Sequence, residues 1–281
     1  MRILFIIPTI LSICIIAGCT HNAALIKPVN EFIEYKNITY GADSPQQAMD
    51  VLLPEGRTAE NTPVIILLHG GGWVQGDKIE FSVLGIDSFF AFRGFAVVNM
   101  NYRLDGSYKY PAPVDDIGTV MNMIQQKATE WQINGSKVCI MGKSSGSQLA
   151  LIYAYTRNSD KRIKAIVDFY GPADLTDSTV TAKPFSMLVA NLLGTYTSNM
   201  QAWHDASPAY FTKDAVPTFI FQGTADSLVY FSQAELLQDS LNVHSIPCNL
   251  VKMEGLGHGW PQDYWVQYRE SICTWLTPYL H

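Results

Sequence analysis

Six short apolar runs, separated by helical patterns, constrain this 281-residue chain more than any other feature. Pro63-Val-Ile-Ile-Leu-Leu68 and Phe95-Ala-Val-Val-Asn-Met100 come first, then segments 137–141, 164–170, 217–221 and 249–253. Such runs are continuous rather than alternating, the pattern of strands buried on both faces in a mostly parallel sheet. Helical periodicity occupies about 82–92, 112–130, 145–157, 231–241 and 262–279. Strand and helix in alternation predict an α/β fold with helices on both faces of the sheet. With 48% hydrophobic and 16% charged residues, the chain can fill the core such a fold needs. Residues 172–215 break the rhythm. A connection that long is usually functional, and it is expected to form a small cap over a site.

The first residues read differently. Arg2 precedes an apolar stretch, Ile3 to Ile16, and small residues lead to Cys19. This pattern predicts a secretory signal over residues 1–18, a tether over 19–35 and the folded domain over 36–281. Ile16-Ala-Gly-Cys19 resembles the lipobox of bacterial lipoproteins. That resemblance implies lipidation of Cys19 and an exported protein anchored in a bacterial envelope, at the outer membrane or cell surface. The net charge of −6 comes with no basic run, which argues against a nucleic-acid partner. No Cys or His spacing suggests zinc, and no metal or organic cofactor is expected. Cys248 and Cys273 lie at matching distances along a final strand and helix, and a disulfide between them is an expectation.

Chemistry is concentrated at the ends of the predicted strands. Gly142-Lys-Ser-Ser-Gly146 fits G-x-S-x-G between a strand and a helix, the context of a nucleophile elbow, and makes Ser144 the candidate nucleophile. The segment also resembles the end of a phosphate-binding loop, but Lys137 stands where that motif requires glycine. His69-Gly-Gly-Gly-Trp73 follows the first buried strand. Glycines let backbone N–H groups approach a developing oxyanion, so Gly71, Gly72 and Ser145 are the expected donors. A serine hydroxyl needs a base, and the base needs a carboxylate to fix its tautomer. His258 and Asp226 each follow a strand's carboxyl end, with Asp174 and Asp177 as reserve carboxylates. Trp73 and Trp260 flank these groups and are expected to form an aromatic floor for substrate.

The chain order Ser144, Asp226, His258, together with Asn101-Tyr-Arg-Leu104, residues 110–116, Tyr170-Gly-Pro-Ala-Asp174, Ala206-Ser-Pro208 and Gly257-His-Gly259, resembles the α/β-hydrolases. Within that fold it is similar to the hormone-sensitive-lipase-like branch and to bacterial acetyl-xylan and feruloyl esterase-like proteins, from about residue 36 to the end. The resemblance implies hydrolysis of short-chain esters, with an acetylated or feruloylated saccharide as partner. Arylformamidases share a similar glycine motif, so amide hydrolysis is the alternative; a non-catalytic binding module is a third. Two positions depart from the family pattern: Lys143 replaces an acidic residue and Ser147 a glycine.

Overall fold

The computed structural model describes residues 28–104, 108–181 and 185–280. Eight strands form one sheet: β1 (Phe32–Thr39), β2 (Ala48–Pro54), β3 (Val64–Leu68), β4 (Ala96–Met100), β5 (Val138–Lys143), β6 (Ile163–Phe169), β7 (Thr218–Gly223) and β8 (Cys248–Met253). Their order is β1-β2-β4-β3-β5-β6-β7-β8. β2 pairs antiparallel with β1 and β4, and every pairing from β4 through β8 is parallel. Among the described residues the first strand begins at Phe32, inside the segment expected to be a tether, and Val29 N–H already donates to Phe92 O (2.8 Å). β1 is an edge strand, FIEYKNIT, whose side chains are mostly exposed, so it carries no buried apolar run.

Alternation along each strand feeds two cores. Val64, Ile66 and Leu68 of β3 face one side; Ile65 and Leu67 face the other. The first side is covered by α3 (Ala112–Trp131), α4 (Ser145–Thr156) and α8 (Phe231–Val243). The second is covered by α1 (Ile79–Val83), α2 (Ile86–Phe92) and α9 (Gln262–Leu280). The single helix expected at 82–92 is thus two, because Gly85 adopts a left-handed conformation (φ 64°) between them.

Between β6 and β7 lie α5 (Ser178–Thr181), α6 (Phe185–Leu193) and α7 (Met200–Asp205), with two short 3₁₀ turns. α6 sends Phe185, Val189, Leu192 and Leu193 into the first core. Its spacing of apolar residues at i, i+4 and i+7 gives one buried stripe, which ties the insertion to the domain. The expected Cys248–Cys273 disulfide is absent; both are free thiols. Cys248 packs against the first core and Cys273 against the second, so the sheet separates them.

Candidate active site

The elbow forms because β5 must turn into α4 within one residue. Ser144 takes the strained pair φ 51°, ψ −117°. A Cβ on Gly142 would collide with the backbone of Gly146, and one on Gly146 with the carbonyls of Leu68 and His69. Ser144 N–H donates to Phe169 O (2.8 Å), anchoring the turn to β6. Ser147 completes the brace, donating to Gly142 O (2.6 Å) and accepting from Phe169 N–H (3.0 Å). A family glycine could make neither bond.

Asp226 follows β7 and has no exposed side-chain surface. Its Oδ1 accepts from Leu228 N–H and Val229 N–H, both at 2.9 Å. Its Oδ2 accepts from Gln222 Nε2 (2.9 Å) and from His258 Nδ1 (2.8 Å). With Nδ1 protonated toward the carboxylate, His258 Nε2 is left bare and accepts the Ser144 hydroxyl at 2.8 Å. One edge of the imidazole meets the Tyr170 ring, centroids 4.8 Å apart. Three strand ends, β5, β7 and β8, thus deliver in turn a hydroxyl, a buried carboxylate and an imidazole, joined in one hydrogen-bonded line.

These groups open on a cleft of about 300 Å³ lined by residues that include Gly70–Gly72, Gln75, Glu80, Lys143, Leu188 and Leu228. Gly71 (φ 114°) and Gly72 (φ 63°) have backbones that only glycine adopts easily. Among the described residues, neither of their N–H groups has a backbone partner. Ser145 opens α4, where the first N–H groups of a helix lack intrahelical acceptors. His69 braces this loop from below. It is fully buried, stacks on Tyr102 at 4.3 Å, and its Nδ1 donates to Gly70 O at 2.7 Å. Burial pushes the His69 pKa down, so it stays neutral. Among the described residues no group of three or more His, Cys, Asp or Glu side chains is placed to hold a metal ion.

Known proteins resemble this chain in sequence and in fold. The family model described as BD-FAE matches residues 49–241. The chain belongs to the BD-FAE family. Esterase LipC of Mycobacterium tuberculosis (strain ATCC 25618 / H37Rv) is 24% identical over 246 residues, 81% of this chain and 60% of LipC. An acetyl esterase of Salmonella schwarzengrund (strain CVM19633) is 26% identical over 211 residues, 69% of this chain and 64% of that protein. The chain thus spans under two thirds of the length of these relatives. A solved truncated form of a carbohydrate esterase from gut microbiota superposes with TM-score 0.77 at 22% identity, covering 90% of this chain and 99% of that one. The thermophilic carboxylesterase EstE1, from a metagenomic library, gives 0.72 at 21% identity, covering 92% of each. Both solved structures share the α/β-hydrolase fold with this chain.

Within this BD-FAE chain, Ser144, Asp226 and His258 meet, and Gly71 and Gly72 line the same cleft. The two tryptophans do not serve as its floor. Trp73 is fully buried, donates to Gln148 Oε1 (3.0 Å) and packs near Phe185. The positive φ at Trp73 (63°) turns its side chain into the core rather than toward the cleft. Trp260 is half-buried among Phe169, Tyr170, Phe221 and Trp265, and reaches His258 only through Tyr170. Asp174 accepts from Thr176 and Tyr210 instead of His258. Cys19 lies outside the described residues. Sequence reasoning missed Tyr170, Glu80 and Gln75 as cleft residues. Tyr170 had a signal, since it directly follows β6 and precedes Gly171-Pro172; Glu80 and Gln75 had none.

Proposed function

We propose that this protein is a serine carboxylesterase that removes short acyl groups, acetyl or feruloyl, from carbohydrate. The observation that carries this reading is the line Asp226–His258–Ser144, closed by two hydrogen bonds of 2.8 Å beside glycine N–H groups that have no backbone partner among the described residues. Ser144 Oγ attacks the ester carbonyl carbon and His258 Nε2 takes its proton. The carbonyl oxygen becomes an oxyanion that Gly71, Gly72 and Ser145 N–H groups receive; one such donor contributes about 3 kcal/mol. His258 then protonates the departing alcohol, leaving an acyl-Ser144. Water, deprotonated by the same imidazole, releases the acid. Asp226 remains a carboxylate throughout and steadies the imidazolium. The names of the relatives, an acetyl esterase and a carbohydrate esterase, support the choice of ester and of alcohol.

The test is Ser144→Ala, assayed on p-nitrophenyl acetate and on a panel of acetylated and feruloylated saccharides. Turnover should vanish while the circular dichroism spectrum stays that of the wild type. Hydrolysis of formanilides in preference to esters would sink the reading in favour of an amidase.

The N-terminal pattern supports a second part of the proposal. The protein is exported and held in a bacterial envelope by lipid on Cys19, since each buried CH₂ of an acyl chain contributes about 0.8 kcal/mol. Cys19→Ser should move it from the membrane fraction to the soluble one. Unaltered membrane partition in that variant would exclude the anchor.

A further inference from the structure

The cleft has two unlike walls, and the sheet decides which is which. Leu188 and Leu228 belong to the core on the α4 side. Lys143, the last residue of β5, points to the other face, where its Nζ lies 4.7 Å from the centroid of the Phe81 ring. There it forms an ion pair with Glu80 of α1, Nζ to Oε2 2.8 Å. Both residues line the cleft. The lysine side chain is 9% exposed and the glutamate 37%, so the carboxylate is the member of the pair that faces the opening. Among the described residues Glu80 Oε1 has no hydrogen-bond partner. Gln75, exposed at the same wall, adds a neutral amide.

The wall is built to stay in place. Lys78, two residues before Glu80, pairs with Asp50 at 2.8 Å in a site where both side chains are nearly buried. Lys78 N–H donates to Asn101 Oδ1 (2.6 Å), and Asn99 Nδ2 donates to Lys78 O (2.7 Å). The start of α1 is thereby fixed to β2 and β4, and Glu80 is oriented before any ligand arrives. Electrostatics explain why the carboxylate is paired. A lone anion beside Ser144 would oppose the oxyanion that forms there. Lys143 cancels that charge at long range, yet leaves a carboxylate oxygen free to accept a short-range hydrogen bond.

We propose that Glu80, held by Lys143, makes the cleft selective for esters whose alcohol part carries neighbouring hydroxyl groups, with Glu80 Oε1 accepting from one of them and the acyl group lying against Leu188 and Leu228. This rests on the esterase reading above. An alcohol without hydroxyls covers Glu80 and strips its water without returning a hydrogen bond. Hydrogen bonds to a charged acceptor are the stronger kind. For a half-exposed carboxylate the discrimination is on the order of tenfold.

The experiment compares kcat/KM for a monoacetylated methyl xyloside with kcat/KM for cyclohexyl acetate, which offers a ring of similar size without hydroxyls. In the wild type the ratio should be about ten or more. Glu80→Leu should lower it about tenfold, and Glu80→Gln, which keeps an acceptor but loses the charge, about threefold. Inhibition by methyl xyloside of p-nitrophenyl acetate hydrolysis should weaken in parallel. A wild-type ratio near one, or a ratio that neither variant changes, overturns the proposal. Equal losses on both esters overturn it as well, because the pair would then act only on the position of the elbow. A wild type that cleaves neither ester instead removes the esterase reading beneath it.

Discussion

Replacing Asp168 with asparagine should make the stability of this protein far less sensitive to pH. Asp168 sits on β6 with 1% of its surface exposed, on the face covered by α4. Burial is the dominant influence and pushes its pKa from an ordinary 3.8 to about 7, against the opposing pull of the neighbouring Ser147 hydroxyl and of the hydrogen bond from Gly171 N–H (2.8 Å). The sign follows from which state holds the proton. Below pH 3.8 the carboxyl is neutral in folded and unfolded chains, and titration adds nothing. Between that value and about 7 the unfolded chain gives up its proton while the folded one keeps it. Each pH unit in that window costs about 1.4 kcal/mol of stability. Above it the penalty is constant at about 4 kcal/mol. Asparagine fills the same space, accepts from Gly171 and carries no charge. The stability gained by Asp168→Asn should therefore be about 3 kcal/mol larger at pH 8 than at pH 5, or roughly 6–12 °C in Tm for a domain of this size. Thermal unfolding of both proteins at the two pH values measures this double difference. A gain that is the same at both pH values would refute the argument, since it would show that Asp168 ionises alike in the folded and unfolded chain.

Three further outcomes are expected. Asp226→Asn should cut kcat by about 10⁴, because the imidazole is then held in the wrong tautomer; a loss below tenfold in steady-state assays would remove Asp226 from its place in the line. Acetyl and propionyl esters should be cleaved with higher kcat/KM than octanoyl esters, since Leu188 closes the apolar wall within 3.2 Å of where a Cβ on Gly72 would stand, and Leu188→Ala should shift the preference several-fold toward longer chains. A kcat/KM that climbs steadily from acetyl to decanoyl in the wild type would contradict that geometry. Trp73→Ala should destabilise the domain by about 3–5 kcal/mol in urea titrations, as expected of a large core side chain, and a variant of unchanged stability would return Trp73 to the cleft.

The parts of this fold that could be read from the sequence are those written in local signals. Buried parallel strands are continuous apolar runs, and the elbow is a strand, five residues and a helix. The strand-end rule then placed Asp226 and His258 on the same rim as Ser144. Features that depend on orientation or distance were not legible. The direction of Trp73 is set by a backbone angle that the neighbouring glycines do not reveal. Glu80 and Lys143 are separated by 63 residues and meet only because α1 is folded back beside β5. The two cysteines matched in length along their elements, but strand parity put them on opposite faces of the sheet. β1 starts earlier than the expected domain boundary at residue 36, because an exposed edge strand has no apolar run to mark its beginning.

The strand order also sets when the site comes into being. A chain made from its amino end carries the glycine loop after β3 and the elbow after β5 long before the base, which follows β8. Residue 144 precedes residue 258 by 114 positions, and β7 must be laid against β6 and β8 against β7 before the imidazole can reach the hydroxyl. Until then Ser144 is an ordinary alcohol on a finished turn. On the esterase reading proposed above, any chain interrupted before His258 carries the nucleophile without its base, so the potential to react arrives with the last βαβ unit to emerge.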